Sequence, residues 1–236
     1  MLRINNFSKS YAKGTFAVED LNLQVRPGEI YGFIGHNGAG KSTTIKAVVG
    51  ALDFESGEIL INGNSVKENP VACKKDIAYI PDNPDIYDHL TGLQYLNFVC
   101  DIFRLDGAER NEKIERLSVE FGLEKNLGDL ISSYSHGMKQ KLVIISALIH
   151  NPKLLVLDEP FVGLDPVATH KLKEQMKELC KNGSAIFFST HVLDVAEKLC
   201  DRVGIIKNGE LVAEGEVKEL LKDKSLESFF LEIQNA

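Results

Sequence analysis

The apolar run Ile30-Tyr31-Gly32-Phe33-Ile34 passes directly into Gly35-His36-Asn37-Gly38-Ala39-Gly40-Lys41-Ser42-Thr43, and this junction constrains the fold more than any other part of the sequence. The run reads as a buried strand. Beyond it, Ile45, Ala47, Val48 and Val49 continue with helical spacing up to Gly50. The segment between strand and helix fits Gly-x4-Gly-Lys-Ser/Thr, the phosphate-cradling loop of an α/β sheet.

The residue types explain the chemistry expected there. Gly35, Gly38 and Gly40 carry no side chain and reach conformations closed to other residues, so the backbone N–H groups around His36, Asn37 and Ala39 can converge on phosphate oxygens. A helix opening near Lys41 adds unpaired N–H groups and the positive end of its dipole. The Lys41 ammonium can reach β and γ phosphates, the Ser42 hydroxyl can ligate Mg²⁺, and Thr43 completes the nucleotide-binding segment.

At 236 residues, with 44% hydrophobic content, the chain has room for one large domain or two small ones with a sizeable core. A net charge of -7 argues against a surface built to neutralise nucleic-acid phosphates, so no nucleic-acid partner is expected. The longest apolar runs, such as Leu142 to Ile145, fall far below the roughly 20 residues that span a bilayer. Met1-Leu2-Arg3-Ile4-Asn5-Asn6 turns polar too soon for a secretory signal, which makes the cytosol the expected compartment. Cys73, Cys100, Cys180 and Cys200 lack zinc-site spacing and read as reduced thiols.

Residues 2 to 7 and Leu21-x-Leu23-x-Val25 alternate as half-buried strands, and Gly57 to Gly63 reads as a strand ending in an Asn-Gly turn. From about residue 84 the pattern turns helical. Thr91-Gly92-Leu93-Gln94 has the form of a capping box opening a helix through Arg104, and a second helix is predicted from Ala108 to Phe121. After residue 150, Leu154 to Leu157, Ala185 to Ser189 and Val203 to Ile206 read as strands of a parallel sheet separated by helices. Lys207-Asn208-Gly209-Glu210 reads as a hairpin turn.

The strand at Leu154 to Leu157 ends in Asp158-Glu159-Pro160, placing two carboxylates at a carboxyl end, where open α/β sheets bind ligands. Asp158 is placed to hold Mg²⁺. Strand alternation aims Glu159 to the other side, where it can accept a proton from an attacking water.

With these features in place, the sequence resembles the nucleotide-binding subunits of ATP-binding-cassette (ABC) transporters over nearly its whole length. Tyr134-Ser135-His136-Gly137-Met138-Lys139-Gln140 is similar to the family signature Leu-Ser-Gly-Gly-Gln, with His136 replacing the first glycine and Met138 the glutamine. Gly163-Leu164-Asp165 matches the loop after the catalytic glutamate, and Ser189-Thr190-His191 matches the switch histidine. Tyr11 stands where the family places an aromatic that stacks on adenine. Where the family commonly has glutamine after the strand Ile77-Ala78-Tyr79-Ile80, this chain has Pro81-Asp82.

The resemblance implies a P-loop NTPase (RecA-like) core of the α/β class with a mainly parallel sheet, an N-terminal antiparallel β-subdomain and an α-helical insert. It divides the chain into a catalytic core at 1–83 and 151–215, an insert at 84–150 carrying the signature, and a helical tail at 216–236. It implies ATP and Mg²⁺ as ligands, Glu159, His191 and Lys41 as catalytic residues, and Ser42, Asp158 and Asp82 at the metal. Ser135 and Gly137 would face the nucleotide of a second nucleotide-binding subunit, and Asp165, in the loop after the catalytic glutamate, is counted among the nucleotide-binding residues.

A multi-spanning permease would be the further partner and would hold the chain on the cytoplasmic face of the cell membrane. Tyr87, Tyr95, Phe98 and Phe103 of the insert form the expected docking surface. Phe161-Val162 within Glu159 to Asp165 and the short C-terminus resemble exporter-type subunits for drugs, peptides or hydrophobic cargo. A soluble ABC ATPase with a non-transport role, acting on nucleic acid or ribosomes or in regulation, is the alternative.

Overall fold

Alternation of apolar and polar residues forms the first sheet. The structure, a computed structural model, describes residues 1–12, 15–222 and 224–235. Strands β1 (Leu2–Ala12) and β2 (Thr15–Val25) pair antiparallel, and β4 (Ser56–Ile61) and the two-residue β5 (Asn64–Ser65) complete a four-stranded sheet in the order β2-β1-β4-β5. Leu2, Ile4, Leu21, Leu23, Ile59 and Ile61 all turn to its buried face. The strand expected over residues 2 to 7 runs on to Ala12, because register shifts after Ile4 let it bend without leaving its partners.

The second sheet has six strands in the order β10-β9-β3-β8-β7-β6. They are β3 (Ile30–Ile34), β6 (Ile77–Ile80), β7 (Leu154–Asp158), β8 (Ala185–Thr190), β9 (Arg202–Lys207) and β10 (Glu210–Glu216). All pair parallel except β10, which returns antiparallel on β9 through the predicted Asn208-Gly209 turn. Its central strands are apolar on both faces. Leu154 and Val156 enter one cluster with Tyr31, Phe33 and Phe187, while Leu155 and Leu157 enter another with Ile186 and Phe188. Each such fully buried side chain contributes about 1.5–3 kcal/mol.

Helix α1 (Lys41–Val48) and the short α2 (Pro70–Asp76) lie between the early strands. Between β6 and β7 the regular elements among the described residues are helical: α3 (Gly92–Ile102), α4 (Gly107–Glu120), two 3-10 turns and α5 (His136–Leu148). Thr91 and Gln94 form the expected capping box on α3. The helix ends at Ile102 rather than Arg104, because Arg104 turns left-handed with φ 57°. Helices α6 (Pro166–Lys181) and α7 (Leu193–Leu199) connect the later strands. The chain closes with α8 (Val217–Leu221) and α9 (Leu226–Asn235), so the helical part begins one residue after Glu216, which still belongs to β10.

The aromatics of the insert divide between packing and surface. Tyr95 packs against the larger core cluster, and Phe103 stacks on His150 with centroids 3.6 Å apart. Tyr87 and Phe98 stay 52% and 44% exposed, edge-on to each other. All four cysteines are free thiols, and no described helix is long and apolar enough to cross a membrane.

Candidate nucleotide site

Four neighbouring parallel strands end along one edge of the six-stranded sheet. Their registers pair Ile34 with Thr190, Asp158 with Ser189 and Ile80 with Leu157, so whatever follows each strand meets at that edge. From β3 comes the glycine-rich loop, from β6 Pro81-Asp82, from β7 Asp158-Glu159 and from β8 Thr190-His191. They surround a cavity of about 320 Å³. The loop contributes Asn37, Gly38, Gly40, Lys41, Ser42 and Thr43 to its lining, and Asp82, Asp158 and Glu159 face them.

The loop is held in one shape by close packing. Gly40, at the start of α1, has φ 111°, and a Cβ there would fall 2.6 Å from the carbonyl oxygen of Ala17. A Cβ on Gly35 would fall equally close to the Ile206 carbonyl oxygen. Ala39 is buried and donates its N–H to the His36 carbonyl at 3.1 Å. No side chain caps α1, so its first N–H groups open toward the cavity. Lys41, only 5% exposed, folds its ammonium onto the carbonyls of Gly35 (2.7 Å) and His36 (3.2 Å), with Glu159 Oε1 at 3.6 Å.

Three carboxylates share this cavity with that one ammonium. Asp158 is buried and accepts a hydrogen bond from Ser189 Oγ at 2.5 Å. Glu159 follows the strand with φ 47°, a left-handed conformation costly for a non-glycine residue. That turn corrects the expectation that the two acids point to opposite sides: Glu159 has left the pleat and lines the same cavity as Asp158. His191 Nδ1 stands 3.0 Å from Glu159 Oε1 but off the line of a hydrogen bond, leaving that buried oxygen without an aligned donor. Burial, and then the charges of Asp158 and Glu159, push the Asp82 carboxyl above its ordinary range; the imidazoles of His136 and His191 act the other way.

The remaining sequence candidates lie around the cavity rather than in it. Tyr11 is 65% exposed, with its hydroxyl 3.4 Å from Thr43 Oγ1. Ser135 caps α5 by accepting the Met138 N–H at 3.3 Å. Gly137 packs near the Gly163 carbonyl, and Asp165 caps α6 while pairing with Lys141 at 2.7 Å, a contact that holds its carboxyl below the usual range. Neither Ser135, Gly137 nor Asp165 lines the cavity.

Three neighbours escape a reading of motifs. Ala17 lines the cavity from β2. Ser189 holds Asp158, which only the β7–β8 register could have indicated. Tyr79, with its hydroxyl pushed up to about 12 by burial and by the charges of Asp158 and Asp82, adds a neutral group beside the acids.

The profile described as ABC transporter matches residues 18–162, more than half of the chain. This chain belongs to the ABC transporter ATP-binding subunits. The ABC-type ATP-binding protein EcsA of Bacillus subtilis is 36% identical to it over 99% of this chain and 96% of the relative. The bacitracin transport ATP-binding protein BcrA of Enterococcus faecalis is 35% identical over 94% of this chain and 71% of the relative. A solved ATP-binding subunit of an ABC transporter superposes with a TM-score of 0.95 at 36% identity, covering 99% of both chains. The subunit is thus an ABC ATPase of P-loop architecture, with the mainly parallel sheet, antiparallel β-sheet and helical insert expected of it.

The residues of this ABC subunit suit a nucleotide accompanied by a divalent cation. A glycine cradle that a Cβ would fill leaves room for phosphates beside Lys41. Three acids against one ammonium leave negative charge for a hard, oxygen-seeking cation to neutralise.

Proposed function

We propose that the subunit binds Mg·ATP at this cavity and hydrolyses it as one half of a two-subunit site that drives a membrane permease. The observation that carries the reading is a split. Lys41, Ser42, Asp82, Asp158 and Glu159 share one cavity, while the start of α5 with Ser135 and Gly137 lies outside it, as befits a surface that completes a partner's site.

In this reading the loop from Gly35 to Thr43 binds the phosphates through its N–H groups, and Tyr11 packs on adenine. Lys41 leaves the Gly35 and His36 carbonyls for β and γ oxygens. Ser42 and Asp158 hold Mg²⁺, with Asp82 near it; the bound ion neutralises charge on the phosphates. Glu159 orients the water and accepts its proton, and His191 fixes the Glu159 carboxylate. Ser135, Gly137 and the neighbouring Asp165 belong to the contact with the second subunit.

Residues 1–83 and 151–215 act as the catalytic core and 84–150 as the arm that meets the permease, through the exposed Tyr87 and Phe98. The partner holds the subunit at the cytoplasmic membrane face. The name of the bacitracin transport relative and the exporter-like segments support export of a peptide, drug or hydrophobic cargo.

The test pairs nucleotide binding with recovery of the partner. Lys41→Ala should abolish ATP binding, and the wild-type chain should co-purify with a multi-spanning protein from solubilised membranes. Retained micromolar affinity in the variant, or repeated recovery of the chain alone, refutes the corresponding half of the reading.

A further inference from the structure

The C-terminal helix reaches the phosphate loop. Phe230, on α9, is 6% exposed, and its ring meets the imidazole of His36 edge-on, with centroids 5.0 Å apart. His36 is the first residue after Gly35, and its carbonyl is one of the two that hold the Lys41 ammonium. The same Phe230 packs in a cluster with Ile34, the last residue of β3, and with Val203, Ile205 and Leu226. One side chain of the tail therefore meets His36 of the loop and shares a buried cluster with the strand that delivers the loop.

The helix is fixed where it stands. The Leu226 N–H donates to Glu197 Oε2 at 2.8 Å, and Lys207 Nζ donates to the Ile233 carbonyl at 3.1 Å. These contacts tie α9 to α7 and to the end of β9, so Phe230 presses on His36 from a held position. The tail lies outside the segment matched by the family profile, residues 18–162.

We propose that Phe230 is a positioning residue for ATP binding: it pins His36 and thereby sets the loop N–H groups that the phosphates use. The proposal rests on the nucleotide reading of the loop. An edge-on aromatic pair contributes enough to shift affinity about threefold to tenfold.

The experiment measures KM for ATP, kcat and thermal stability in the full chain. Phe230→Leu keeps the apolar cluster filled and removes the ring, so KM should rise about threefold to tenfold with kcat within about twofold of wild type. His36→Ala should raise KM as well, and Phe230→Leu should add nothing further in that background. Phe229→Leu, a neighbour on α9 with no ring contact to His36, should leave KM unchanged. An unchanged KM in Phe230→Leu, additive effects in the double variant, or an equal rise in Phe229→Leu overturns the proposal. Lys41→Ala separates the two readings: if it retains ATP affinity the loop assignment fails, whereas its loss beside a wild-type-like Phe230→Leu rejects the latch alone.

Discussion

His191 reaches both oxygens of Glu159: its Nδ1 lies 3.0 Å from Oε1, and its backbone N–H donates to Oε2 at 3.4 Å. Glu159 also holds a left-handed backbone and keeps Lys41 at 3.6 Å from the same Oε1. A carboxylate on a strained backbone, approached by a histidine and a lysine at the edge of a cavity, is the geometry from which the proposed base role is argued.

Glu159→Gln preserves shape and removes the proposed base. Turnover is expected to fall about 10²- to 10⁴-fold while ATP affinity stays within a few-fold of wild type. Single-turnover phosphate release measures the first quantity and equilibrium titration the second. A variant hydrolysing ATP within tenfold of the wild-type rate removes Glu159 from the base role.

Asp82 makes stability depend on pH. Burial first, then Asp158 and Glu159, raise its folded-state pKa above the ordinary 3.8, so the fold favours the protonated acid. The group therefore carries no penalty below 3.8; as pH rises from there through the raised value, the unfolded chain ionises more readily and stability is lost. Asp82→Asn should raise the melting temperature of the nucleotide-free protein at about pH 7, and the gain should shrink toward about pH 4. Thermal melts across that range check the sign, and a variant equally destabilised at both ends contradicts it.

Ser189→Ala tests the support beneath Asp158. Both residues are buried, and their 2.5 Å hydrogen bond gives the carboxylate a donor in the nucleotide-free state. Its loss should cost about 1–3 kcal/mol in denaturant unfolding. A change smaller than a few tenths of a kcal/mol would show that another group takes over the donor role.

The local parts of this arrangement are legible in the residues themselves, whereas those that depend on tertiary contacts came through the family resemblance, as Asp82 beside Asp158 did, or not at all. The loop after Ile34, the acids after Leu157 and the capping box at Thr91 each depend on a few adjacent residues, so spacing alone revealed them. The meeting of Asp82 with Asp158 depends on β6 lying beside β7, and the Ser189 bond on β7 lying beside β8. No periodicity encodes those neighbours. The left-handed turn at Glu159 overrode strand alternation, since the residue stands just past the last paired position. Helix α2 is seven residues long and β5 only two, too short for a periodic signal. The Phe230–His36 contact joins distant parts of the chain and has no local signature.

The exposed Tyr87–Phe98 pair gives the permease contact a direct test. Replacing both by Ser should abolish recovery of the membrane partner while leaving basal ATP turnover within about twofold, since neither ring lines the nucleotide cavity. Undiminished co-purification moves the docking surface elsewhere.

Whether the cavity is half of a site completed by a second subunit is read from the molar mass of Glu159→Gln protein in light scattering, with and without Mg·ATP. Adding nucleotide should double the 26.2 kDa monomer mass, and Ser135→Arg at the start of α5 should reverse the doubling. A protein that binds ATP at saturation and stays at the monomer mass contradicts a site completed by a second subunit.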